Sequence, residues 1–327
     1  MLRVVIARSN LPGLEHERAI LDTVPANVID LRHADEGTIL AACQEADGVI
    51  TDYFRFDRAT LAQMPRCRVI CQYGIGYDAI DVAAATEVGI LVGYTPGYCE
   101  DEVADHALCL LLALARRTFL LDRAVRAGHW DYNCAGPVRR LRGQVLGLVG
   151  FGAIARNLAV KAQALGLAVL AYDPYVPAHL TGDLGVRLCA LDDLLTQADY
   201  VSLHAPSTAH TRHLIDGAAL ERMKRSAYLI NTARGALLDQ RALCTALHEH
   251  RIAGAALDVL EQEPPLAGDP ILACEGVILT PHAAFYSHES IEEVHRRAAH
   301  VVADVLRGKR PAALANPQAI GKRIQLG

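Results

Sequence analysis

The sequence predicts an α/β protein made of doubly wound parallel sheets in two domains. Three observations lead there. Short β-branched runs alternate with helical patterns along nearly the whole chain, as strands joined by helical crossovers do. One long helical stretch interrupts the alternation after residue 98, and the alternation restarts at Arg142. The 327 residues, 52% of them apolar, give two domains of ordinary size with a core in each.

The elements follow in order. RVVIA (3–7), ANVID (26–30) and ADGVIT (46–51) read as strands, with GLEHERAILDTV and EGTILAACQEA between them at helical spacing. CRVICQYG (67–74) is a strand that runs into a glycine-rich turn. GILVGYTPG (89–97) is another, stopped by Pro96 and Gly97. A single helix is expected over Cys99–Gly128, with acids at its start and bases at its end as the helix dipole favours. Its apolar surface is too broad for one face of a small domain, so it is expected to pack on something large, such as a partner subunit. Beyond Arg142 come strand 145–149, helix 152–165, strands 168–172 and 199–203, helix 216–223, strand 226–231, helix 239–250, strands 253–257 and 276–280, and a last helix over 290–308.

Composition excludes several classes. A net charge of −5 with no basic tract argues against nucleic acid and against anionic membrane as main partners. The longest apolar run, ALCLLLALA (107–115), is too short to span a bilayer. The nine cysteines are scattered. Cys67 and Cys71 are four apart, with no second pair to complete a zinc site, so no metal is expected and a reducing cytoplasm fits.

The chemistry begins at QVLGLVGFGAIARNLAVKAQALGLAVLAYDPY (144–175). Gly150, Phe151 and Gly152 follow an apolar strand and open a helix, and Ala155 fills the third position of a G-x-G-x-x-G/A turn. The first glycine makes the turn. The second lets the backbone approach a pyrophosphate at the helix N-terminus, with Ala153 and Ile154 following, and the third position needs only a small residue. Asp173 stands 21 residues after Gly152, at the end of the next strand, where an acid meets the ribose hydroxyls. No arginine follows it directly, so NAD is favoured over NADP.

Arg234, Glu263 and His282 each follow a later strand of the same sheet, and ligands of open α/β sheets gather at the strands' carboxyl ends. Together they suit reduction of a 2-keto acid. Arginine holds a carboxylate by a two-pronged fork, histidine protonates a carbonyl oxygen near neutral pH, and a carboxylate beside it stabilises the imidazolium. A solvated arginine or glutamate and a structural histidine are the plainer reading of each residue alone.

The sequence then resembles the D-isomer-specific 2-hydroxyacid dehydrogenases. The resemblance is carried by YGIGYDAIDVAAATEVGILVGYTPG (73–97), EVADHALCLLLALARR (102–117), LRGQVLGLVGFGAIAR (141–156), ADYVSLHAPSTAHTRHLI (198–215), LINTARGALLD (229–239), AALDVLEQEP (255–264) and LTPHAAF (279–285). DPY (173–175) and PHAAFYS (281–287) look most like the branch containing the C-terminal-binding proteins, NAD(H)-responsive corepressors. Where that branch has a tryptophan after PHAA, this chain has Phe285.

The resemblance implies a Rossmann NAD-binding domain (99–285) inserted into a flavodoxin-like substrate domain (1–98 with 286–327), with hinges near Tyr94–Tyr98 and Phe285–Ser287 and a homodimer formed through 99–127. It implies that Arg234 binds the substrate carboxylate and touches NAD, and that His282 is the acid/base paired with Glu263. Gly74, Ile75 and Gly76 would hold the carboxylate by their amides, with Tyr73 beside them. Asp173, Pro174, Tyr175, His204, Ala205, Pro206, Thr211, Thr232, Ala233, Asp258 and Ala284 would line the NAD site. Glu263 argues against a formate dehydrogenase, which carries glutamine there. Tyr53, Phe54 and Arg55, which follow a strand of the first domain, are candidates for the substrate side-chain pocket, as are Tyr98, Phe285 and Trp130. The expected activity is NAD-dependent interconversion of a 2-keto acid and a D-2-hydroxy acid. The alternative is an NAD(H)-sensing binding protein with little turnover.

Overall fold

The computed structural model describes residues 1–326. They form two compact units, Met1–Cys99 with the chain from Ser287 onward, and Glu100–Tyr286.

The first unit alternates β1 (Leu2–Ala7), α1 (Glu15–Leu21), β2 (Ala26–Leu31), α2 (Glu36–Gln44), β3 (Gly48–Thr51), α3 (Arg58–Ala62), β4 (Val69–Gln72), α4 (Val82–Val88) and β5 (Leu91–Gly93). Its five strands are all parallel in the order β2-β1-β3-β4-β5, the flavodoxin-like arrangement. Asp35, Asp57 and Asp81 start α2, α3 and α4 by accepting the backbone N–H three residues on. Val5, Val49, Phe56, Met64 and Ile70 are fully buried in the core on one face.

The second unit carries α5 (Glu100–Arg116), α6 (Thr118–Arg126), β6 (Val145–Val149), α7 (Ala153–Ala164), β7 (Ala168–Tyr172), α8 (Ala178–Gly182), β8 (Arg187–Leu188), α9 (Leu191–Gln197), β9 (Tyr200–Leu203), α10 (Gly217–Arg222), β10 (Tyr228–Asn231), α11 (Gln240–His248), β11 (Gly254–Leu257) and β12 (Val277–Leu279). Its seven parallel strands run β12-β11-β10-β9-β6-β7-β8, so the order reverses between β6 and β9 as in a Rossmann sheet. Both faces are covered, as near-continuous apolar strands require. Leu110, Leu111 and Leu158 pack on one face; Leu194, Leu220 and Leu243 pack on the other. Burying one such leucine contributes about 1.5–3 kcal/mol. The last helix, α12 (His288–Leu306), opens with a Ser287–Ser290 capping box and packs across β3, β4 and β5 of the first unit.

Two local expectations differ from the structure. The single helix over 99–128 is two, because Arg117 takes a left-handed backbone (φ 51°). Its guanidinium bonds the Tyr228 hydroxyl and the Ala135 carbonyl, which fixes the break. The stretch between β7 and β9 also contains α8, β8 and α9, too short to give a periodicity readable in the sequence.

Candidate active site

The strand register of the second unit sets one row of residues at the carboxyl edge of its sheet. Val149 pairs with Tyr172 and Leu203, Asn231 with Leu203 and Leu257, and Leu257 with Leu279. The residues that follow are therefore level: Gly150, Asp173, His204, Thr232, Asp258 and Thr280. The order reverses inside this row, between Gly150 and His204, which is where an open sheet leaves a ligand crevice.

The glycine turn has the shape its sequence implies. Gly150 has φ 89°, and a Cβ on it would stand 2.6 Å from the Ala205 nitrogen, so only glycine lets β6 and β9 converge there. Gly152 is the N-cap of α7, provides no side-chain cap, and has no atom within 4 Å of the position of a Cβ. The first N–H groups of α7 thus have no side-chain cap, as an anion-binding helix N-terminus requires. Ala155 is fully buried against the sheet. Asp173 accepts the Phe151 and Tyr175 amides, each at 2.9 Å, which ties its carboxylate to the turn. Pro174 and Tyr175 are exposed beyond it.

Other residues expected around NAD fall along the same edge. Burial pushes His204 down to about 4, so it is neutral, and its Nε2 pairs with the Ser202 hydroxyl at 2.8 Å. Thr211 donates to the Pro206 carbonyl at 2.7 Å and closes the loop after Ala205. The Thr232 hydroxyl is buried with no hydrogen-bond partner among the described residues. An unclaimed buried hydroxyl, an uncapped helix N-terminus and an acid at the end of β7 together fit a dinucleotide.

Three loops carry the expected catalytic residues. Buried Asn231 shapes the first: its side chain accepts the Ala233 amide and donates to the Arg234 carbonyl. Gly235 presses onto the second loop so closely that a Cβ would lie 2.0 Å from the Leu260 carbonyl carbon. The Leu260 amide in turn donates to Glu263 Oε1 at 2.9 Å. The third loop brings His282 Nδ1 to 2.7 Å from Glu263 Oε2. His282 has φ 53°, an uncommon backbone for a residue with a Cβ, and such outliers cluster at functional sites. Its amide donates to the Asp258 carbonyl at 2.8 Å. Burial alone would lower the His282 pKa, but the hydrogen bond and charge of Glu263 outweigh it and raise it. Burial would raise Glu263, and His282 reverses that and holds it low. The charge of Arg234 acts on both, favouring neutral His282 and ionised Glu263. Phe285 stands edge-on to the His282 ring, centroids 6.4 Å apart.

Asp258 underlies the third loop. Its carboxylate accepts the Ala283 and Ala284 amides, each at 2.9 Å, and the Thr280 hydroxyl. The sequence reading missed Asn231, Gly235, Thr280 and His106 as shapers of the site. Asn231 and Gly235 flank Arg234 inside NTARG, and that flanking position was the available signal.

In the first unit the side chain of Tyr73 departs from its expected role. It is 4% exposed, and its hydroxyl donates to Glu17, also bound by His295. Burial in this polar core leaves only its backbone near the turn. The Gly74 amide is likewise taken, by Thr95 Oγ1 at 2.8 Å, so Ile75 and Gly76 keep the amides suited to an anion. Tyr53 is exposed beyond β3. Trp130 is 90% exposed after α6.

Comparisons with known proteins give the family. The family described as "D-isomer specific 2-hydroxyacid dehydrogenase, NAD binding domain" matches residues 108–284. The chain is 41% identical over 285 residues to a glyoxylate reductase of Korarchaeum cryptofilum, covering 86% of this chain and 85% of that one. It is 44% identical over 247 residues to an (S)-sulfolactate dehydrogenase of Chromohalobacter salexigens, covering 75% and 80%. The solved D-lactate dehydrogenase of Aquifex aeolicus, complexed with NAD and lactic acid, superposes with a TM-score of 0.84 at 29% identity, covering 93% of this chain and 96% of that one. The chain belongs to the D-isomer-specific 2-hydroxyacid dehydrogenases.

Proposed function

We propose that this chain is an NAD-dependent oxidoreductase that interconverts a 2-oxo acid and the corresponding D-2-hydroxy acid. The observation that carries the reading is the His282–Glu263 pair at 2.7 Å with the charge of Arg234 beside it, on the sheet edge that carries the glycine turn. The relatives named above act on glyoxylate, sulfolactate and lactate, which share the 2-oxo or 2-hydroxy acid unit.

Each residue has one task. Gly150, Phe151 and Gly152 with the N-terminus of α7 hold the pyrophosphate, and Asp173 takes the ribose. When bound, NAD(H) supplies or accepts a hydride at the substrate's second carbon. Arg234 clamps the substrate carboxylate and orients the carbonyl. His282, charged and held at Nδ1 by Glu263, gives its Nε2 proton to the carbonyl oxygen as the hydride arrives, and takes it back in the oxidative direction. Glu263 remains ionised throughout.

The finer readings belong here too. A homodimer through α5 and α6 is supported by the absence of any buried residue on α6 and by exposed Val125, Trp130, Tyr132 and Val138. A reducing cytoplasm is supported by nine free cysteines; no helix among the described residues is long and apolar enough to cross a membrane. The likeness to the corepressor branch rests on DPY and PHAAFYS alone. A panel of 2-oxo acids, small, bulky and doubly acidic, with NADH absorbance as readout, tests the proposal. Turnover with product of D configuration supports it. NADH binding without turnover on any member overturns it in favour of a binding protein.

A further inference from the structure

We propose that His106 is a positioning residue for His282, acting through Thr280 and Asp258. The inference rests on the reading of His282 as the acid/base.

The geometry is a relay of hydrogen bonds from α5 to the third loop. Thr280 has one hydroxyl proton, and it goes to Asp258 Oδ1. Thr280 Oγ1 must therefore accept from its other neighbour, His106 Nε2, at 3.1 Å. That fixes the His106 tautomer with the proton on Nε2. The same nitrogen lies 3.6 Å from Asp258 Oδ1. The Asp258 side chain is 1% exposed, so its charge depends on these donors. Thr280, Ala283 and Ala284 come from the strand end and the loop that carry His282. His106 comes from outside that segment and reaches the carboxylate through Thr280, and α5 holds it by packing on α7, β10 and β11. Asp258 also accepts the His282 amide with its own carbonyl. The left-handed backbone of His282 is thus held by contacts to one aspartate, and His106 orients that aspartate's carboxylate.

Loss of the Nε2 donor frees Thr280 to turn its hydroxyl, and Asp258 loses a bond. The loop relaxes toward an unstrained φ at His282, and the imidazole drifts from Glu263. Burial then acts on His282 with less opposition from Glu263. A purely architectural His106 would lower the melting temperature without moving the His282 titration.

The experiment follows histidine ring resonances by NMR in the full-length chain, with the His282 signal assigned through His282→Ala. In His106→Ala the His282 midpoint is expected to fall by about half a pH unit or more, and turnover to fall about tenfold. His106→Gln, whose amide N–H can reach Thr280, is expected to restore both. Should His106→Ala fold poorly, Thr280→Val removes the same link and is expected to lower the same midpoint. An unmoved His282 titration in the folded variants, or no restoration by glutamine, overturns the proposal. The titration is read without turnover. A chain that shows these shifts yet reduces no 2-oxo acid keeps the positioning role and refutes the proposed activity.

Discussion

His282 Nδ1 lies 2.7 Å from Glu263 Oε2, and the pair shifts both groups toward their charged forms. With His282 as the proposed proton donor, reduction needs its charged form, so the reductive rate is expected to fall as pH rises through the raised His282 pKa and the oxidative rate to rise over the same range. Glu263→Gln removes the anion and leaves burial to act on His282. The alkaline limb of reduction is expected to move to lower pH. Rate profiles with saturating NADH measure this. An unmoved limb would show that the pair does not set the catalytic proton.

The same pair makes stability depend on pH. The raised His282 contributes fully below 6.5 and is lost as pH rises through its folded value. The lowered Glu263 contributes fully above 4.5 and is lost as pH falls through its folded value. The difference in urea midpoint between wild type and Glu263→Gln is therefore expected to be largest between 4.5 and 6.5 and to shrink on both sides. A difference that grows toward alkaline pH would contradict it.

The two glycines of the turn separate folding from binding. Gly150→Ala forces a Cβ to 2.6 Å from the Ala205 backbone at φ 89°, so the second unit is expected to lose stability, by about 2 kcal/mol or more. Gly152→Ala meets nothing within 4 Å and has φ −74°, so its melting temperature is expected to hold. Its methyl would stand where a pyrophosphate approaches, and NADH affinity is expected to drop. Thermal scans beside NADH titrations distinguish the two outcomes.

Arg234 tests the carboxylate clamp. Arg234→Ala is expected to lose about 1.5–3 kcal/mol of charged hydrogen bonding to substrate, roughly 10- to 150-fold in kcat/KM. Arg234→Lys is expected to recover little, because an ammonium lacks the planar fork. Steady-state kinetics on one 2-oxo acid decides it, with NADH affinity as the control.

The sheet edge was legible because strands and glycine turns leave local signals. GLVGFG with Asp173 located the turn, and the strand ends placed Arg234 and His282 on one edge. The break at Arg117 was hidden, since its cause is a contact with Tyr228, 111 residues away. The burial of Tyr73 was hidden likewise: its hydroxyl finds Glu17 on α1, 56 residues earlier. His106 reaches Thr280 across 174 residues, and no spacing rule spans that distance. Local chemistry was readable; the side-chain partners that tertiary packing assigns were not.

The proposed role of His282 is transfer of the proton in a D-specific, NADH-dependent reduction. Turnover of one 2-oxo acid by wild type and by His282→Ala, with NADH affinity measured on both, tests it most directly. Wild type is expected to yield a D-2-hydroxy acid, and His282→Ala to lose roughly 10²–10⁴ in kcat with NADH affinity kept. Equal turnover by the two proteins would contradict it.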